Sequence, residues 1–183
     1  MLQQITFLKD YRCFKKGRAF DFKPLTLLVG DQGVGKSTIL QLLSKFNPKD
    51  KEPVIKMICP ERIEPRSFDY ERDSPRMSSY VSTILDVATR FSSHGEFVRL
   101  MNDSLREQKS VLWIMDEPDG ALSIRSCLKL AESIKVALNN KCQIVAAVHS
   151  PILMCEFPEV YSLEHLKWMP PGEFCATQTL QGK

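Results

Sequence analysis

The sequence predicts an α/β domain built on a mostly parallel sheet, with an N-terminal antiparallel β hairpin and a reduced helical insertion. Three observations carry that expectation. Apolar runs too short for helices recur at Leu25–Val29, Val111–Met115 and Cys142–Val148, the pattern of strands buried on both faces. Stretches of helical periodicity lie between them, the alternation that produces parallel strands joined by crossover helices. A glycine-rich segment stands between the first of those runs and a helix.

Taken in order, Gln3 to Lys9 alternates as a strand does, and Ala19–Phe22 reads as its hairpin partner. Pro24 precedes the first buried strand, Gly30 through Ser37 forms a turn, and Ser37–Phe46 continues as a helix stopped by Asn47-Pro48. Residues 48–78 are rich in charge and proline, with short strands expected near Val54–Ile58 and Arg66–Tyr70. Helices are expected at about Ser79–Phe91 and Ser93–Gln108, so that 79–108 forms the small helical subdomain. Ile124–Leu138 is amphipathic, with Leu128, Leu130, Ala131, Ile134 and Leu138 as its apolar stripe. A last strand is expected at Glu159–Leu163. The chain reads as one domain over residues 1–183, with no linker or internal repeat.

Bulk properties exclude several classes. With 43% hydrophobic and 26% charged residues the chain is an ordinary globular one. No apolar run approaches a membrane span. The N-terminus lacks the apolar core of a secretory signal, so the six scattered cysteines, with no C-x-x-C pair, are expected to be cytoplasmic free thiols. The net charge of +3 does not argue for nucleic acid. A local basic cluster of Lys9, Arg12, Lys15, Lys16, Arg18 and Lys23 is either a solvated hairpin or a phosphate-backbone footprint.

The strongest motif is Gly30-Asp31-Gln32-Gly33-Val34-Gly35-Lys36-Ser37, which matches G-x-x-x-x-G-K-[ST] in full and makes the chain a P-loop NTPase. Its glycines let backbone amides and the following helix N-terminus point at phosphates. Lys36 is expected to neutralise the β- and γ-phosphates and Ser37 to give its hydroxyl to Mg²⁺, with Thr38 completing the nucleotide-binding stretch. The strand at 111–115 then ends in two acids. Asp116 suits the Mg²⁺ and Glu117 the attacking water, a pairing that favours hydrolysis.

At these residues the chain resembles the ABC ATPases, and in particular the small stand-alone or nuclease-associated members often labelled AAA-type, kin to the SMC, DNA-repair and OLD-type ATPases. Asp116-Glu117-Pro118-Asp119-Gly120-Ala121-Leu122-Ser123 looks like their D-E-P-E-x-x-L-S stretch, joining Walker B to the D-loop. His149-Ser150-Pro151 looks like the end of their T-H-S-P switch, and Ser93-His94-Gly95-Glu96 like a degenerate signature. Gly95 precedes Asp116 by 116 − 95 = 21 positions and His149 follows it by 149 − 116 = 33, both similar to the family's separations. The resemblance implies ATP and Mg²⁺ as ligands and His149 acting on the γ-phosphate. It also implies an ATP-dependent homodimer in which Ser93 and Gly95 bind the γ-phosphate held by the other subunit. Ser93 with Glu96 equally fits a plain capping box. Tyr11 or Phe14 is the adenine-stacking candidate, or else packs in the core.

Departures from the family pattern shape the remaining expectations. No glutamine occurs between Gln41 and Gln108 to serve as the Q-loop residue, which leaves Asp69 or Glu71 as substitutes. The phosphate loop and acidic pair are 116 − 36 = 80 residues apart, with no heptads for a coiled-coil arm. The kinship implies an ATP-driven dimerisation switch, in DNA processing or phage/host defence. The alternatives are a low-turnover ATP-sensing subunit of a separate nuclease or effector, a transporter ATPase subunit, and, most weakly, a small-molecule kinase. Leu163–Lys183 carries no function that the residues alone declare.

Overall fold

The structure is a computed structural model that describes residues 1–60, 64–69 and 94–180. The expected helix at 79–91, together with Glu71 and Ser93, lies outside the described residues.

Two sheets form the framework. Strands β1 (Gln4–Phe7), β2 (Ala19–Asp21) and β4 (Ile55–Ile58) make an antiparallel sheet in the order β2-β1-β4. The hairpin expected at the N-terminus is therefore present, with Ile5 opposite Phe20. The larger sheet has six strands: β3 (Leu25–Val29), β5 (Glu64–Asp69), β6 (Val111–Asp116), β7 (Gln143–Ala147), β8 (Val160–Ser162) and β9 (Lys167–Met169). Their order is β5-β6-β7-β3-β8-β9, parallel throughout except that β9 returns antiparallel to β8.

The unbroken apolar character of β3, β6 and β7 follows from burial on both faces. Alternate residues of each strand enter different cores. Leu27, Met115, Ile144 and Ala146 face one cluster with Leu130, Ala131 and Ile134, while Leu28, Ile114, Val145 and Ala147 face a second with Ile39, Leu40 and Leu43. The second core also holds Phe7, Phe14 and Phe20, so the antiparallel sheet is packed beside helix α1 (Lys36–Ser44). Buried Gln143 ties the chain's start to the central strands. Its Oε1 accepts from the Leu2 amide at 2.7 Å, and its Nε2 donates to the carbonyls of Leu2 at 2.7 Å and Lys23 at 3.1 Å.

Helix α2 (His94–Glu107) packs on α3 (Ile124–Asn139), and the four-residue α4 (Pro151–Met154) follows β7. The stripe of α3 differs from the expected one. Leu128 is 40% exposed, and Cys127 and Ala137 are buried in its place beside Leu130, Ala131 and Ile134. The buried face thus combines the large Leu130 and Ile134 with the small Cys127, Ala131 and Ala137. Strand β9 and the last helix, α5 (Pro171–Leu180), organise the tail that the sequence left without a role. None of the six cysteines is joined in a disulfide, as expected. Among the described residues no helix is long and apolar enough to cross a membrane.

Candidate functional site

In a parallel sheet the strand C-termini share one rim, and there the chemistry collects. Strand β3 delivers the phosphate loop, β6 the acidic pair, and β7, lying between them, His149.

The loop's shape depends on glycine at the positions that need it. Gly33 and Gly35 have φ of 79° and 106°, a region costly for side chains. A Cβ on Gly35 would also stand 2.4 Å from Phe14 Cζ and 2.7 Å from Cys13 Sγ. Gly35 is the N-cap of α1 and no side chain caps that helix. Its first amides are left for an anion, reinforced by the helix dipole.

Lys36 is only 6% exposed, and its Nζ donates to the carbonyls of Gly30 at 2.8 Å and Asp31 at 3.0 Å. Burial pushes its pKa down, while the charges of Glu117, Asp116, Asp31 and Glu164 pull it back up. Asp31, Gln32 and Gly33 are exposed and Val34 half-buried. Thr38, the next residue but one after Lys36, is buried, and its Oγ1 accepts from an Arg12 guanidinium nitrogen at 3.0 Å.

Ser37 and Asp116, the expected metal pair, lie close enough to interact: burial raises the Asp116 pKa, the charges of Asp69 and Glu117 add to the rise, and Ser37 and Lys36 oppose it. Asp116 Oδ1 is buried without a hydrogen-bond partner. A desolvated, partly unpaired carboxylate beside a hydroxyl fits a small divalent cation that takes its other ligands from water and phosphate. Among the described residues no group of three or more His, Cys, Asp or Glu side chains offers a protein-only metal cage.

Glu117 sits in the left-handed region at φ 50°, its amide bonded to the Ala147 carbonyl at 3.1 Å. His149 Nε2 lies 3.1 Å from Glu117 Oε1, with both side chains a little over two-fifths exposed. The two residues are 32 positions apart in sequence, and adjacent β6 and β7 bring them together.

Several participants were hidden from the sequence reading. Asp119, 6% exposed, accepts with one Oδ2 from the amides of His149 at 2.8 Å and Ser150 at 2.5 Å. The turn after β6 therefore clamps the turn that carries the histidine. Arg12 reaches the start of α1 and also Gln41 Oε1 at 3.3 Å. Glu164, from the tail, accepts from the Asp31 amide at 2.6 Å. The only sequence signals were that Arg12 falls in the basic cluster and Asp119 in the acidic turn.

Other candidates are placed as follows. Phe14 is buried with its ring 4.7 Å from Phe7 and 5.4 Å from Phe20, so it packs in the core. Tyr11 is half-buried in a groove beside α1 with Gln41, Lys45 and Phe46. Asp69 ends β5 in register with Asp116. Gly95 lies in the first turn of α2. Most of the basic cluster is engaged within the chain: Lys9 with the Glu52 carbonyl, Arg12 with Thr38, Lys15 with Asp10 and Lys23 with Glu159.

Fold and loop together are those of a P-loop nucleotide-binding domain. Residues 1–74 match the family described as AAA ATPase domain. Among solved structures, the chain is similar to a metal-chelate-type ABC transporter in an inward-facing conformation (17% identity, TM-score 0.54, 94% of this chain and 85% of that one). It is also similar to cbiO1 from Clostridium perfringens, part of the ABC transporter complex cbiONQ (16% identity, TM-score 0.51, 90% of this chain and 85% of that one). At those identities the likeness establishes the fold. No curated protein sequence matches the chain.

Proposed function

We propose that the chain binds ATP with Mg²⁺, hydrolyses it, and uses the nucleotide as a dimerisation switch, acting as one ATPase unit in the cytoplasm. The observation that carries this reading is the convergence of Lys36, Ser37, Asp116, Glu117 and His149 at one sheet rim, with His149 and Glu117 in contact at 3.1 Å. Lys36 leaves its two carbonyl partners for the β- and γ-phosphates, while the loop amides and the α1 N-terminus hold the rest of the triphosphate. Ser37 and Asp116 would hold Mg²⁺, which would supply charge stabilisation at the transferring phosphoryl group. Glu117 accepts a proton from the attacking water, and His149 orients that carboxylate and donates to the γ-phosphate.

The dimer part of the reading rests on surface as well as kinship. Immediately after the D-loop, Ile124 is 65% exposed and Leu128 40%. They are four residues apart on one helix face, apolar area that a second copy would cover. In this arrangement Gly95 at the start of α2, with Ser93 before it, contacts the γ-phosphate of the opposite subunit, and Tyr11 is the adenine-stacking residue. Asp69, beside Asp116, takes the Q-loop position. With most of the basic cluster engaged internally, DNA binding gains no support from it.

A low-turnover sensing subunit for a separate effector is the second reading. It is favoured by the absence of a glutamine between Gln41 and Gln108. Light scattering on Glu117→Gln with Mg·ATP and then Mg·ADP tests the switch. The expected result is a dimer only with ATP and hydrolysis lowered at least about 100-fold. Hydrolysis at the wild-type rate would remove Glu117 from the role of base.

A further inference from the structure

The tail's clearest contact is with the phosphate loop. After β8 the chain turns at Glu164, runs back as β9 and ends in α5. Glu164 Oε1 accepts from the Asp31 amide at 2.6 Å, and its Oε2 accepts from Gln178 Nε2 at 2.8 Å. One carboxylate therefore bridges the loop to the last helix, across 133 residues of sequence on one side and 14 on the other. The helix is itself anchored: Phe174 is buried in the main core, and Lys167 of β9 pairs with Glu173 at 3.0 Å. Glu164 also backs the first glycine, since a Cβ on Gly30 would stand 3.5 Å from its Cγ.

We propose that Glu164 is a positioning residue for the phosphate loop, and that β9 and α5 form a brace acting through it. The inference rests on the ATP-binding reading and assigns the tail a part in it. Fixing the Asp31 amide fixes the Gly30–Asp31 peptide, and the carbonyls of those two residues are the ones that hold Lys36 Nζ. Gln178, the Glu164 carboxylate, the Asp31 peptide and the lysine ammonium form one chain of contacts. Freed of the brace, the first half of the loop must be ordered when nucleotide binds, which lowers affinity by the ordering cost. Because Lys36 and the loop read the β-phosphate, the loss falls on ATP and ADP alike.

The competing role for this carboxylate is purely electrostatic and has the opposite sign. A negative charge near Lys36 opposes the triphosphate more than the diphosphate. Were charge its main effect, removing it would tighten binding, and ATP would gain more than ADP.

The test is calorimetric titration of the full chain with Mg·ATP and Mg·ADP, on wild type, Glu164→Ala, Glu164→Gln and Gln178→Ala, with unfolding midpoints measured without nucleotide. Glu164→Ala is expected to weaken both nucleotides about tenfold at an unchanged ATP/ADP ratio. Glu164→Gln, which keeps an acceptor for the Asp31 amide, is expected to stay within about threefold of wild type. Gln178→Ala should fall between, and the double alanine variant should bind no worse than Glu164→Ala alone, because the two act in series. The brace is overturned by Glu164→Ala binding as wild type does or more tightly, or by a lowered unfolding midpoint with affinities unchanged. Should Glu164→Ala not fold, wild-type affinity in Gln178→Ala overturns it equally. Failure of the wild-type chain to bind Mg·ATP would overturn the ATP reading itself. Wild-type binding alongside an unaffected Glu164→Ala would overturn only the brace.

Discussion

The Asp119 clamp makes a quantitative prediction about how the histidine turn is held. Asp119 is 6% exposed, and its Oδ2 receives two backbone N–H groups, those of His149 and Ser150. Hydrogen bonds to a charged acceptor contribute about 1.5–3 kcal/mol each. Two would give twice that, but holding a carboxylate out of water offsets part of it, as does leaving its Oδ1 buried and unpartnered. The expected loss for Asp119→Ala is therefore about 2–3 kcal/mol. For a chain of 183 residues that corresponds to a fall in unfolding midpoint of about 5–10 °C. Asp119→Asn keeps a carbonyl acceptor of the same shape without the charge, and should lose about 1 kcal/mol. Urea titration followed by tryptophan fluorescence gives both values, with equal m-values showing that stability alone has changed. Steady-state ATPase assays on Asp119→Asn should show kcat lowered with KM unmoved, since the clamp orients His149 without touching substrate. An alanine variant within 0.5 kcal/mol of wild type, marked roughly as the scatter of ordinary surface substitutions, would refute the reasoning.

Two other perturbations follow from the site. Asp116 has a raised pKa because of burial, so its ionisation opposes folding: stability falls as pH rises through the window from its ordinary 3.8 to the raised native value. Asp116→Asn should therefore raise the unfolding midpoint at neutral pH, with the gain vanishing at the acid end of that window, and should abolish Mg²⁺-dependent nucleotide binding. A pH series of thermal melts with and without Mg·ATP measures both effects. Gly35→Ala places a Cβ against Phe14 and Cys13 at a φ of 106°. It should cost about 2–3 kcal/mol by strain and overpacking and eliminate ATP binding, as denaturant titration and nucleotide titration would report.

What the sequence could disclose depended on how local the information was. The phosphate loop was legible because its glycines, lysine and hydroxyl occupy eight consecutive positions, each with a separate physical reason. Strands β3, β6 and β7 were legible because burial on both faces leaves no room for polar residues in a short run. The stripe of α3 was misplaced at Leu128 because that leucine lies on the exposed side with Ile124, while the buried side includes the small Cys127 and Ala137, which a hydrophobic count weighs less. The Asp119 clamp spans 30 residues, so the aspartate read as one more acid in a turn. The tail was opaque for a related reason. Helix α5 opens on Pro171-Gly172, residues that signal an ending, and its link to the loop runs through a glutamate that looks like any surface acid.

The left-handed backbone at Glu117 bears on how such a protein drifts or can be engineered. Glutamate at φ 50° stores about 1 kcal/mol or more that asparagine or glycine would release. The residue proposed as the base is therefore also a ready source of extra heat resistance. A library screened only for survival after heating would enrich replacements there and return robust but inert proteins. Any programme to harden this domain would have to hold Glu117 fixed and seek its gains at exposed positions away from the site and the proposed dimer face, such as Leu8 and Ile58.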